Sequence, residues 1–123
     1  MDRINNILYK ADQIVNHRAE EKARQYGPFA ESIERTAMLY NLMKPKNDAD
    51  ITAEGVFRVL IALKLSREAY GHKEDNLLDG VAYIGAMNNY IEEKELEAKE
   101  FESIRANFLV SEPKIETNIP NDY

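Results

Sequence analysis

Lys64 and Arg67 stand three residues apart, and Asp75 and Asp79 four apart, within "LKLSREAYGHKEDNLLDGVAYIGAMNNY" at residues 63–90. On a helix, each spacing puts its two side chains on one face. Gly71 lies between the pairs, and a short corner there folds the second helix back so that cations and carboxylates meet. Two chemistries suit such a cluster. In one, it is an inter-helix salt-bridge set that only fixes the hairpin. In the other, Arg67 grips phosphate oxygens in a bidentate fork and Lys64 holds them as a point charge. The aspartates then orient the cations, hold Mg²⁺ through oxygen, or accept from a ribose or base. Tyr83, four residues past Asp79, shares that face, to stack on a base or to serve as an ordinary core tyrosine.

A second segment, "RQYGPFAESIERTAMLY", carries Glu31 and Glu34 as an E-x-x-E pair on one helical face. In an acidic chain such a pair is either a solvated surface or one half of a metal site. Arg35 is a further phosphate candidate. Tyr26 and Phe29 flank a Gly-Pro corner, where they form an aromatic wall over a base or staple one helix to the next. His17 and His72 have no partner at ligand spacing and read as non-metal, although His72 lies beside the proposed site. No G-x-S-x-G, P-loop or G-x-G-x-x-G occurs, so "GVAYIGAMNN" reads as packed helix.

The elements that must position these residues are helical. Ile4, Ile7, Leu8, Ala11, Ile14 and Val15 recur at three and four within residues 1–25, the stripe of an amphipathic helix. Gly27 and Pro28 break it. A second helix over about 29–43 sets Phe29, Ile33, Ala37 and Tyr40 on one side, and "KPKNDAD" is a polar loop. Thr52 is the expected N-cap of a third helix with Val56, Val59, Leu60 and Leu63 inward, and Gly71 its expected stop. Asp75 is the expected cap of a fourth, with Leu78, Val81, Ala82, Ile84 and Ile91 inward. Gly80 and Gly85 inside it each cost about 1 kcal/mol against alanine, which suggests close approach of a helix or a ligand. From about Glu92 the composition turns to a charged helical extension, with Leu96, Phe101, Ile104 and Phe108 as a sparse stripe. "SEPKIETNIPNDY" reads as a flexible tail. The expectation is an all-α bundle of four or five helices, one domain over residues 1–110, with a tail over 111–123. Short amphipathic helices in so small a chain leave apolar faces to cover, so a homo-oligomer is expected.

Composition narrows the function classes. The net charge of −6 argues against a broad nucleic-acid surface. Residues 1–90 hold 13 acids and 12 bases, whereas 91–123 hold 9 acids and 4 bases, so the body of the chain is near neutral and has room for a cationic pocket. The lack of cysteine excludes disulfides, thiolate metal sites and cysteine nucleophiles. No apolar run is long enough to span a bilayer and the N-terminus has no signal-peptide pattern, so no membrane partner and a cytoplasmic location are expected.

The ordered motifs "YGPF", "ERTAMLY", "LIALKLSRE" and "HKEDNLLDGVAYIGAM" resemble a small family of unknown function encoded mainly by tailed phages and prophages. Its pattern runs YG-x-P, x-R-x-A, T-x-x-x-V, K-x-x-R-E, then K-x-D-N-x-x-D-x-x-G-Y. The resemblance covers about residues 15–90. The matching positions are Tyr26, Gly27, Arg35, Lys64, Arg67, Lys73, Asp75, Asn76, Asp79 and Tyr83. The chain departs where "YGPF" lacks a residue before the proline, where Tyr40 replaces a frequent tryptophan, and where Val81–Ala82 replace Ala–Gly. More distantly, the chain is similar to MazG-like all-α nucleoside triphosphate pyrophosphatases, which hold Mg²⁺ with E-x-x-E on one helix and E-x-x-D on the next. Glu31 and Glu34 match the first pair. The second is N-x-x-D here, Asn76 and Asp79, and Asp75 is displaced by one residue, roughly a 100° rotation.

These readings converge on a phage-encoded protein that holds a phosphorylated or cyclic nucleotide without turnover, sequestering a messenger of bacterial immunity in the host cytoplasm. The expected ligand contacts are Tyr26, Phe29, Arg35, Lys64, Arg67, His72, Lys73, Asp75, Asn76, Asp79 and Tyr83, with no cofactor. The alternative is a Mg²⁺-dependent pyrophosphatase with metal on Glu31, Glu34 and Asp79, aided by Asp75. A third reading is a structural or protein-binding helical module.

Overall fold

The computed structural model describes residues 6–17 and 28–111. Four helices and no strand occur among them, an all-α bundle as the periodicity predicts. In α1, Ile7–Asp12, the Asn6 side chain caps the first turn by accepting the Leu8 N–H at 2.8 Å. The helix runs on into a π-helical turn, Gln13–His17. α2 spans Phe29–Met43 and opens after Pro28, whose carbonyl accepts the Ser32 N–H at 3.1 Å. α3, Ala53–Tyr70, begins where the Thr52 hydroxyl accepts the Gly55 N–H at 3.1 Å, the cap expected there. It ends at Gly71, whose φ of −175° is extended backbone that any residue adopts. α4 spans Glu74–Ser111. Asp75 is therefore not its cap; it lies inside the first turn, where a carboxylate complements the helix dipole.

The α2–α3 loop is closed by side chains. The Asn41 carboxamide donates to the Ile51 carbonyl at 2.9 Å and accepts the Ile51 N–H at 2.7 Å. The Lys44 ammonium donates to the Asp48 carbonyl and lies 3.0 Å from the Asp50 carboxylate, with only 8% of its side chain exposed.

Ile33 and Ala37 of α2 meet Val56 and Phe57 of α3 to form the core, with Ile51, Ala53, Leu60, Ala86, Met87 and Tyr90 packed against it. Val56 and Phe57 are one residue apart, hence about 100° around the helix, and both are buried because α3 has α2 on one flank and α4 on the next. A single three-four stripe cannot describe a helix covered on two flanks. Phe57, absent from the expected stripe, is the most deeply buried large side chain, and Val59, Leu63 and Ile84, expected inward, are exposed. The α3–α4 pair is antiparallel, as expected, with Lys64 against Asp79 and Phe57 against Tyr90.

The chain divides into two units, Met1–Ile91 and Glu92–Tyr123. In the second, every described side chain from Glu92 to Val110 is exposed. Of the tail expected over 111–123, Ser111 closes α4 and the rest lies outside the described residues, as do residues 18–27 with Tyr26 and Gly27.

Candidate functional site

The charged cluster forms at the corner between α3 and α4. Lys64 Nζ donates to Asp79 Oδ2 across the hairpin at 2.9 Å, and the lysine side chain is mostly covered. This pair is the architectural contact that the spacing allowed. Arg67, one turn further along α3, is exposed and has no carboxylate partner among the described residues. Its place in the last turn of α3 suits a cation, since the carbonyl end of the dipole is there.

Glu68 organises the corner. Its carboxylate accepts the Lys73 N–H at 2.8 Å and lies 2.6 Å from His72 Nδ1, which carries the hydrogen toward it. The Asn76 side chain also hydrogen bonds to it. Partial burial pushes the Glu68 carboxyl up, but bonds from His72, the Lys73 backbone and Asn76, with the attraction of His72, outweigh it and hold the carboxyl below its ordinary 4.5. Spacing alone does not point to Glu68. A signal existed: an acid in the last turn of a helix opposes the dipole, so its presence there points to another task.

His72, Lys73 and Asn76 thus cluster with Glu68, and Lys64 with Asp79. Phe29 and Tyr83 come together, but on each other: their rings stack with centroids 6.0 Å apart and planes at 19°. Phe29 also meets Phe57 edge-on at 5.8 Å. The two rings therefore cover each other, leaving the partly exposed outer face of Phe29. Arg35 is exposed on α2, and Tyr26 lies outside the described residues.

The metal set of the pyrophosphatase reading does not assemble. Among the described residues, no three histidine or acidic side chains stand together so as to hold a metal ion. Glu31 and Glu34 face outward from α2, while Asp79 is drawn to Lys64 on α3. His17 lies 3.4 Å from Asp12, on its own helical segment.

A separate groove of about 240 Å³ lies between α1 and α4, and none of the expected site residues lines it. Leu8, Ala11, Val15 and Val81 supply apolar wall; Asp12, Asn16, Asn88 and Asn89 supply polar groups. Asn16 bridges the helices, accepting from Asn89 at 3.1 Å and donating to Asp12 at 2.7 Å. Lys10 of α1 also pairs with Glu74 of α4. The two glycines of α4 differ in setting. A Cβ at Gly85 would touch Val15 at an ordinary 3.9 Å, and one at Gly80 would meet nothing within 4 Å. Neither glycine is forced by close approach.

No helix among the described residues is long and apolar enough to cross a membrane. No match is found among curated proteins or among solved structures. A family model matches residues 6–91, nearly all of the first unit and none of the second. The chain belongs to that family, described as a domain of unknown function, DUF6378.

Proposed function

We propose that the chain binds a phosphorylated nucleotide at the α3–α4 corner and holds it without turnover. The observation that carries this reading is the state of Arg67. It stands exposed beside Lys64 and outside every carboxylate contact described at the corner, since Lys64 holds Asp79, and His72, Lys73 and Asn76 hold Glu68. A guanidinium so placed is ready for an external oxyanion. Lys73 and Arg35 add exposed positive charge. The Tyr83–Phe29 stack begins one helical turn beyond Asp79, within reach of a base whose phosphate sits on Arg67. Binding without turnover agrees with the scattered carboxylates of the pyrophosphatase set. The phage-like motifs direct the proposal toward nucleotide messengers of bacterial immunity, which the protein would sequester.

Calorimetry with linear and cyclic nucleotides tests this, followed by recovery of the ligand from denatured protein. The ligand should return uncleaved. Arg67→Ala should weaken binding roughly tenfold or more, about 1.4 kcal/mol or above, while stability stays within about 0.5 kcal/mol because the side chain is exposed. Arg67→Lys should recover only part, since an ammonium lacks the fork. A sharp fall in melting temperature with unaltered binding would reject the phosphate site.

An interaction module is the second reading. It draws on the exposed apolar residues Met38, Leu39, Leu42 and Met43 of α2.

A further inference from the structure

Beyond Ile91, α4 continues through "EEKELEAKEFESIRANFLV" with every described side chain exposed, Phe101 at 65% and Ile104 at 67%. Glutamate, lysine and alanine favour the helix, and Lys94 pairs with Glu97 at 3.3 Å along it. A soluble helix needs no large apolar side chains, yet this one sets Phe101, Ile104 and Phe108 at steps of three and four. That is the a–d–a pattern of a heptad seam.

The charges fit the same phase. With Phe101 and Phe108 at a and Ile104 at d, Glu100 falls at g and Arg105 at e. In a parallel two-stranded coil, a g residue faces the e residue five positions later on the other chain. Glu100 of each copy then meets Arg105 of the other, twice per dimer. Antiparallel pairing would instead set g positions against g and e against e, so Glu100 and Arg105 would not meet across the seam. One heptad back, Lys94 occupies a, and a single lysine there selects register at some expense of stability. Glu93 at g and Glu97 at d surround it with opposite charge.

We infer that residues 92–111 pair with the same segment of a second copy as a short parallel coiled coil, seamed by Phe101, Ile104 and Phe108 and aligned by Glu100–Arg105 pairs. This interface lies outside the residues that the family model matches and does not depend on the nucleotide reading.

Sedimentation velocity on the full chain tests the pairing. The unaltered protein should show a concentration-dependent dimer at submillimolar concentration. Ile104→Asp should leave it monomeric, with the thermal transition of the first unit unchanged. Glu100→Arg alone and Arg105→Glu alone should each weaken the dimer by roughly tenfold or more. An equimolar mixture of these two variants should restore it, because one chain then carries arginine at both g and e and the other glutamate at both. A chain that stays monomeric overturns the inference, whether residues 112–123 cover the stripe or nothing does. A dimer indifferent to Ile104→Asp, or a mixture no tighter than its components, overturns it equally, placing the contact on another face or in the antiparallel sense.

Discussion

The two corners at either end of α3 use similar residues in opposite ways. At the α2–α3 corner, polar groups turn inward: Asn41 takes both backbone groups of Ile51, and Lys44 is nearly covered while holding the Asp48 carbonyl and the Asp50 carboxylate. At the α3–α4 corner, Lys64 is tied to Asp79 and the Glu68 cluster closes the turn, but Arg67 and the Lys73 side chain stay on the surface. The first corner also keeps an exposed cation, Lys46, so exposure alone does not separate the two. What sets the second apart is the planar fork of its exposed guanidinium, on which the proposed phosphate contact rests. Residue type alone does not separate the two, because both contain lysine, aspartate and asparagine.

The comparison is broken most severely at the first corner. Asn41→Ala should destabilise the fold by roughly 1–3 kcal/mol, because it leaves the Ile51 N–H and C=O without partners in a partly covered site. Urea unfolding should show a lower midpoint with an unchanged slope. Lys64→Ala should cost about 1 kcal/mol, since Asp79 retains enough exposure to be rescued by water. The same urea titration resolves that difference.

Glu68 sharpens the contrast through pH. Its carboxyl binds a proton less readily folded than unfolded, so the unfolded chain takes up more protons as pH falls. Its contribution is complete above the ordinary 4.5 and is lost as pH drops through the lower folded value. Melting temperatures measured downward from about pH 6, where the carboxyl is ionised in both states, should fall less steeply for Glu68→Gln than for the unaltered chain. The smallest effect is expected at Gly71→Ala. The backbone there is already extended and a Cβ would meet nothing within 4 Å. Fewer unfolded conformations should then raise stability by about 0.4–1 kcal/mol, visible as a slightly higher melting temperature.

What could be read from sequence divides along the same physical line. Thr52 as cap, Gly71 as stop and Lys64 facing Asp79 all follow from local spacing plus one antiparallel turn, and all three stand in the structure. Asp75 is not the cap because the helix already begins at Glu74, with Glu68 of the preceding helix holding the Lys73 N–H just before that start. Phe57 escaped notice because burial on two flanks of α3 depends on two other helices, not on the periodicity of one. The Phe29–Tyr83 stack was out of reach for a similar reason: spacing leaves each ring either a base to cover or a packing role, and only a contact across 54 residues gives each ring the other. The groove between α1 and α4 left no trace in spacing, since Asn16 and Asn89 become neighbours only in the tertiary fold.

The π-helical turn at Gln13–His17 has a consequence for how the chain can vary in length. A π turn holds one residue more than an α turn spanning the same distance. A chain lacking one residue there could close the turn as ordinary α-helix with the flanking residues kept in angular phase. What would be lost is the bulge itself, and with it the position from which Asn16 meets Asn89. The segment thus has room for a one-residue change of length that would throw a plain α-helix about 100° out of phase.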